Sequence, residues 1–327
     1  MVSRATAFTL LLCSAEAVAA QSPIATVENI ALHSSFWQNL HVTLYAVARG
    51  SMPRELARQL RLPRIGGMAM APLDGALDPG ERRAWDLAVG YYQSDLARRD
   101  LRTGVGMTDV HWALAASDDT ESPAPPAGLD AEHRAHLAAA APVYRRYWWP
   151  DHDRRIREWI RGAVEGISTV SPDIRVRIAY LLETDWFETP ARVEVTYYGR
   201  AYTTLEPRPL TLLAVIDPDY SGWAGAEMIF HEVTHALTGP LERRLGRYAT
   251  DAGRDTSGLW HAVQFFLVGE AWRLELAERG IDYEPHMYAN DIFRTALPAL
   301  EIGLSGYTRG VVDAEAAFDR FVAALPP

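Results

Sequence analysis

Cysteine is nearly absent from this chain of 327 residues, because Cys13 is its single example. That residue lies in an N-terminal segment that we expect to be cleaved off, so the mature chain would contain no disulfide. It would also contain no cysteine nucleophile and no thiolate ligand for a metal. Any metal chemistry would therefore depend on histidine, aspartate and glutamate side chains.

Runs of basic residues are also missing, and the formal net charge is −10. This balance argues against nucleic acid or an anionic membrane surface as a main partner. No apolar run is long enough to span a bilayer as a stable helix. The remaining composition, 48% hydrophobic and 23% charged, is that of a soluble globular protein with a sizeable core.

The first twenty residues have the pattern of an export signal. Arg4 supplies a positive start, residues 5–12 form a short apolar core, and small residues precede a cleavage site near Ala20. We therefore predict a periplasmic or secreted protein. Cys13 raises the alternative of a lipoprotein, but Leu12 occupies the position where a bacterial lipobox has a small residue, which favours soluble export.

The mature chain is predicted to be α+β and predominantly helical. Apolar spacing near three and four indicates helix within 26–64 and 81–118, and a proline-rich stretch at 120–128 is typical of a linker. Alternating or buried apolar runs at 192–198 and 210–216 predict a small β-sheet. We expect a helical N-terminal region over 21–128 and a catalytic region over 129–327, whose core covers about 190–300.

A metal-binding pattern follows these strands directly. His231, Glu232 and His235 form an H-E-x-x-H segment inside an apolar stretch that is predicted to be a buried helix ending at Gly239-Pro240. Two histidines four residues apart lie about 40° apart around a helix, so both imidazoles can reach one zinc ion. Glu232 lies about 60° from His235 around the helix, on the adjoining face, and would act as general base towards a water molecule that the ion activates.

A catalytic zinc needs a third protein ligand and one open coordination position. Thr238 and Leu241 occupy the places of the glycine and histidine in the extended metzincin motif, which excludes that class. The next predicted helix, after Ser257 as N-cap, offers His261 and Glu270, which are nine residues and about 180° apart, so they cannot both face the metal. We predict Glu270, because a carboxylate that follows an apolar run is costly to bury unless it is paired or bound to metal. His261 remains the alternative ligand, or a substrate-binding or core histidine.

The segment 222–272 resembles the catalytic unit of the gluzincins, the thermolysin-like zinc peptidases, and also a pattern found in largely unannotated exported bacterial proteins. The resemblance implies one Zn²⁺ per chain, held by His231, His235 and Glu270, with Glu232 as base. Thermolysin-like enzymes place an aspartate four residues after the ligand glutamate, where this chain has Leu274. Another residue would then have to orient the ligand histidines by hydrogen bonding, and the candidates are Asp291 and Glu227.

A peptidase of this kind also needs a donor for the developing oxyanion. Tyr283, His286 and Tyr288 follow the third-ligand helix, and we predict Tyr288 for this role. The expected function is an exported zinc-dependent peptidase acting on a peptide or protein substrate. The alternative is a non-catalytic exported binding or scaffold protein that keeps a zincin-like fold.

Overall fold

The computed structural model describes residues 22–50, 77–116, 124–251 and 258–325. The predicted export signal with Cys13, the proposed N-cap Ser257 and the start of the predicted linker, 120–123, lie outside these residues. Among the described helices, none combines the length and the apolar character that a bilayer crossing requires.

The fold is α+β and predominantly helical, with one small mixed sheet, as predicted. The strands are β1 (Ala25–Val27), β2 (Ile30–His33), β3 (Ala191–Thr196), β4 (Tyr202–Thr204) and β5 (Leu210–Ala214). The helices are α1 (Phe36–Gly50), α2 (Pro79–Ser94), α3 (Met107–Ala115), α4 (Ala131–Tyr147), α5 (Trp149–Val170), α6 (Asp173–Leu181), α7 (Gly222–Thr234), α8 (Gly239–Asp251), α9 (Leu259–Ala277), α10 (His286–Ala289), α11 (Leu297–Thr308) and α12 (Ala314–Ala324).

The sheet has the strand order β1-β2-β3-β5-β4. Strand β3 lies between β2 and β5 and is parallel to both, whereas β1 and β4 pair antiparallel at the two edges. Because β2 precedes and β3 follows the predicted linker at 120–128, the sheet joins the two regions that the sequence suggested as separate.

The sheet is covered on both faces by helices. Successive residues of a strand point to opposite faces, and in β5 Leu212 belongs to one buried cluster and Leu213 to the other. Helices α1 to α4 supply most of the first cluster, and helices α5 to α12 supply most of the second. The edge strand β4 therefore lies where the two cores meet.

Three local predictions differ from the structure. Residues Ile30–His33 form a strand rather than the start of a helix, since β3 pairs with them along their whole length. The helical pattern within 81–118 is interrupted, because α2 and α3 are separated by a segment at 95–106 that contains only a 3₁₀ turn at Leu96–Arg98. Helix α7 ends at Thr234 with a 3₁₀ turn at His235–Leu237, and Gly239-Pro240 begins α8 instead of ending the motif helix, since proline is well accommodated in a first helical turn.

Asp130 is the N-cap of α4, because its side chain accepts a hydrogen bond of 2.8 Å from the backbone N–H of His133. The predicted strands at 192–198 and 210–216 are confirmed as β3 and β5. Asp313 caps α12 in the same way, because its side chain accepts a hydrogen bond from the backbone N–H of Ala316.

Buried histidines and tyrosines link the helices of the first core. The Tyr92 hydroxyl lies 2.8 Å from His41 Nδ1 and 2.9 Å from His133 Nε2. On the β4 side, the Tyr202 hydroxyl lies 2.9 Å from His111 Nε2. All five side chains are buried, so each depends on these partners rather than on water.

The buried histidines predict a loss of stability in mild acid. Burial lowers the pKa of both His111 and His133 from 6.5 to about 4. Below pH 6.5 the unfolded chain therefore binds more protons than the folded chain, so the free energy of unfolding falls as the pH drops from 6.5 towards 4. Each residue should contribute about 2 kcal/mol to the loss between pH 7.5 and 5.

Urea denaturation of the metal-free protein at pH 7.5 and 5.0 measures this loss, and His133→Gln provides the test. Between the two pH values, the free energy of unfolding of the variant should fall by about 2 kcal/mol less than that of the unsubstituted chain. An equal loss in both proteins would contradict the assignment.

Candidate metal centre and active-site cleft

Helices α7 and α9 bring three histidines together. One ring nitrogen from each of His231, His235 and His261 lies within 4.8 Å of the other two, and among the described residues this is the group of three or more that could hold a metal ion. The Nε2 atoms of His231 and His261 are 3.2 Å apart. Two nitrogen ligands of a tetrahedral zinc are separated by about 3.3 Å, so this pair already has the spacing of a zinc site.

The histidine rings are held by the packing of α9 on α7. The Gln264 side-chain amide donates to the His231 carbonyl at 2.6 Å and to Thr234 Oγ1 at 2.9 Å. The rings of Phe265 and His231 have centroids 3.9 Å apart. His261, Gln264 and Phe265 follow the i, i+3, i+4 spacing of one helix face, which is the face turned towards the motif.

Burial favours the neutral form of all three imidazoles. Burial lowers the pKa of His231 well below its usual value, and the neighbouring His235 and His261 add to this effect. Burial, followed by the charge of Arg102, lowers the pKa of His261 to about 4, and burial lowers that of His235 to about 3. A neutral imidazole is the form that binds a metal.

Glu232 lies beside this cluster. Its Oε2 is 3.7 Å from His235 Nε2, and Thr203 Oγ1 in strand β4 lies 3.2 Å from the same oxygen and 2.7 Å from the Glu232 carbonyl. Burial raises the pKa of Glu232 to about 8, against the Thr203 hydrogen bond and the charges of Arg102 and Arg200, which lower it. A carboxyl group whose pKa lies near neutral pH is suited to accept and return a proton.

The cluster opens into a cavity of about 510 Å³ between the two cores. Its walls come from the segment before α3, from strand β4, from helices α7 and α9 and from the segment around α10. The lining side chains include Tyr45, Asp100, Arg102, Arg200, Tyr202, Thr203, Tyr220, Glu232, Phe265, His286 and Ile292.

The structure does not bring Glu270, the predicted third ligand, to the motif histidines, and the residue placed beside them is His261. The Glu270 carboxylate is paired with Arg273 through two hydrogen bonds, of 2.8 and 2.6 Å. Glu270 and His261 are nine residues apart on a regular helix, so they face opposite sides, as the spacing required. His261 is on the side that faces His231 and His235. The sequence already contained the partner, because Arg273 lies one turn after Glu270.

Tyr288 is likewise outside the histidine cleft. It lines a separate cavity of about 610 Å³ together with Glu270, Arg273 and Glu301. Burial raises the pKa of Tyr288, and the charges of Glu270 and Glu301 add to the increase. Its hydroxyl therefore belongs to a polar group distinct from the site it was expected to serve.

The residues expected to support the metal ligands, Asp291 and Glu227, differ in their burial and contacts. Asp291 is exposed, with 75% of its side chain accessible. Glu227 is fully buried and accepts hydrogen bonds from the Tyr283 hydroxyl and, at 3.1 Å, from the His286 backbone N–H. Glu227 thus anchors the segment that carries His286 to the cleft wall. It does not support His231, whose Nδ1 has no hydrogen-bond partner among the described residues.

Several cleft residues were not identified from the sequence: Arg102, Arg200, Thr203, Tyr220 and Gln264. Gln264 carried a detectable signal, because it is a lone amide in the apolar stretch Ala262–Phe266 and must find a buried partner. The others come from loops and an edge strand whose approach to the motif depends on the tertiary fold.

In comparisons with known proteins, no family model matches the chain, and no curated protein or solved structure matches it. The resemblance to gluzincins therefore remains one of motif, carried by His231, Glu232 and His235.

The pairing of Glu270 with Arg273 predicts a structural role for both residues. Arg273→Leu leaves the buried carboxylate without its partner and should destabilise the fold by about 1–3 kcal/mol, a range reduced from that of fully buried pairs because Arg273 is partly exposed. Glu270→Gln removes the charge and should retain the bound metal. Urea denaturation and metal analysis of both variants measure these effects.

Arg154→Leu is the matched control, because Arg154 pairs with Asp151 and Glu158 on the exposed surface of α5. It should leave the unfolding midpoint nearly unchanged. Loss of metal in Glu270→Gln would instead restore Glu270 as a ligand.

Proposed function

We propose that this protein is a zinc-dependent peptidase. The observation that carries the proposal is the group of three histidines, His231, His235 and His261, with the Glu232 carboxylate beside it on the wall of a cleft. This is the set of groups that metal-assisted hydrolysis needs: nitrogen ligands, a base and space for a substrate.

The histidines fit a catalytic zinc better than a structural one. Structural zinc sites are closed by four protein ligands, whereas catalytic sites use three and leave one position open. His231, His235 and His261 provide three nitrogen ligands and face the cavity. This geometry favours the peptidase over the alternative of a scaffold protein with a structural ion.

When bound, the ion would polarise the scissile carbonyl and lower the pKa of a water molecule, making hydrolysis possible near neutral pH. Glu232 would take the proton of the attacking water and return it to the leaving nitrogen. Thr203 holds Glu232 in position through contacts with both its carboxylate and its carbonyl. The base is thereby oriented by strand β4, outside its own helix.

A peptide substrate is favoured by the position of β4. This strand pairs with β5 along one side and has no strand partner on the other among the described residues. Ala201, Tyr202 and Thr203 line the cleft. An extended peptide can add to such an edge through backbone hydrogen bonds, which would carry its carbonyl groups past Glu232.

Tyr220 is the proposed donor to the oxyanion in place of Tyr288. It ends the 3₁₀ turn immediately before α7 and lines the cleft. Burial raises its pKa to about 12, with added effects from Asp217 and Glu232, so the hydroxyl keeps its proton. A protonated hydroxyl in the same cleft as the base is suited to donate to a developing negative charge.

Metal content and hydrolysis of variants together test the proposal. The purified mature protein should contain about one zinc per chain by elemental analysis and should hydrolyse members of a peptide library. His261→Ala should lose zinc and activity, because it removes one of three ligands. Glu232→Gln should keep zinc and lower hydrolysis about a hundredfold or more, and Tyr220→Phe should keep zinc and lower kcat by about a hundredfold.

His136→Ala is the matched control, since His136 is a histidine on α4 that stacks on Tyr91 away from the cleft. It should change neither zinc content nor hydrolysis. Hydrolysis that survives Glu232→Gln would contradict the mechanism. A zinc-loaded protein that cleaves no peptide would favour the scaffold function instead.

A further inference from the structure

Two arginines give the cleft wall a local positive charge in a chain whose net charge is −10. Arg102 comes from the segment between the 3₁₀ turn Leu96–Arg98 and helix α3, and Arg200 lies just before strand β4. Both side chains are exposed, and both line the cavity that contains the histidine cluster. They approach it from different parts of the chain.

Neither guanidinium forms an ion pair with a carboxylate of the described residues. Other arginines near buried carboxylates are paired, as Arg192 is with Glu194 and Arg273 is with Glu270. A guanidinium presents several N–H donors in a geometry that matches a carboxylate. Arg102 and Arg200 therefore offer donors that are left for a ligand in the cleft.

Asp100 is the acidic residue on the same wall as Arg102, and its Oδ1 is engaged by its own turn. That oxygen accepts hydrogen bonds from the backbone N–H groups of Arg102 and Thr103, both at 2.9 Å, and from Thr103 Oγ1 at 3.1 Å. The Asp100 carboxylate thus shapes the loop that presents Arg102, while the guanidinium itself extends into the cleft.

The position of Arg200 indicates on which side of the scissile bond its positive charge would act. Arg200 precedes Thr203, the residue in contact with Glu232, by three residues, which is about 10 Å of extended chain. A peptide that adds antiparallel to β4 would point its C-terminal end towards Arg200. A positive charge at that place attracts a carboxylate and repels a free amino group.

We propose that Arg102 and Arg200 recognise a carboxylate of the substrate peptide within about three residues of the scissile bond on its C-terminal side. The proposal rests on the proposed peptidase function and specifies its substrate class. The carboxylate is either the C-terminus of a short peptide or the side chain of an aspartate or glutamate, which present the same chemistry to a guanidinium.

Matched peptides distinguish these two sources. The first pair consists of N-acetylated hexapeptides that end in a free C-terminal carboxylate or in a C-terminal amide. The second pair consists of C-terminal amides that carry glutamate or glutamine after the bond that mass spectrometry shows to be cut. In at least one pair, kcat/KM should be about ten- to a hundredfold higher for the carboxylate, the range of a charge-assisted hydrogen bond. A preference confined to the first pair identifies the C-terminus, and one confined to the second identifies the side chain.

Arginine variants connect the preference to these residues. Arg200→Gln and Arg102→Gln should each reduce the preference for the carboxylate, mainly by raising KM, and Arg200→Lys should restore part of it. Arg161→Gln is the control, because Arg161 is an exposed arginine of helix α5 that does not line the cleft. It should leave the preference unchanged. Equal kcat/KM values within both peptide pairs would overturn the proposal.

Peptide binding separates failure of this inference from failure of the peptidase function. Isothermal titration of the same peptide pairs into the Glu232→Gln protein measures recognition without turnover. If the unsubstituted protein cleaves nothing, glutamate or glutamine is placed at each position of the amide peptides in turn. Carboxylate peptides that then bind at least about tenfold more tightly than their amide partners would show that the peptidase function fails and carboxylate recognition stands. Equal binding of acid and amide, or binding of neither, overturns carboxylate recognition.

Discussion

The packing of helix α9 against helix α7 is the contact on which the candidate site depends. The Gln264 amide ties α9 to the backbone of the motif helix at 2.6 Å, and Phe265 packs on the ring of His231. His261 is on the same face of α9, one turn earlier, so the register that satisfies Gln264 also places His261 beside the motif histidines. A rotation of α9 by half a turn would present Glu270 instead and leave the Gln264 amide without its partners.

Burial sets the protonation states that the chemistry needs. The same exclusion of water that makes the histidines neutral raises the pKa of Glu232 to about 8. Arg102 and Arg200 act in the opposite direction on Glu232, so the charge that we assign to substrate recognition also favours the ionised base. The two proposed functions would be coupled through one cleft, because a substrate carboxylate that neutralises the arginines would also change the electrostatic field at Glu232.

The sequence predicts the features that depend on local periodicity and fails where tertiary contacts decide. The motif helix and the strands β3 and β5 follow from short-range patterns. The strand at Ile30–His33 could not be recognised locally, because its partner β3 lies about 160 residues later in the chain. The sequence offered His261 and Glu270 as alternative third ligands, and the helical angle showed that they cannot both face the metal. The choice between them depends on tertiary and side-chain contacts, because Arg273 pairs with Glu270 within its own helix.

The location of the metal in crystals of the zinc-loaded protein tests the central claim most directly. Anomalous scattering at the zinc edge should place one ion about 2.0–2.1 Å from a ring nitrogen of each of His231, His235 and His261. Glu270 should remain paired with Arg273 in the same crystals. An ion bound by Glu270 with the two motif histidines, or no ion at the motif, would contradict the account.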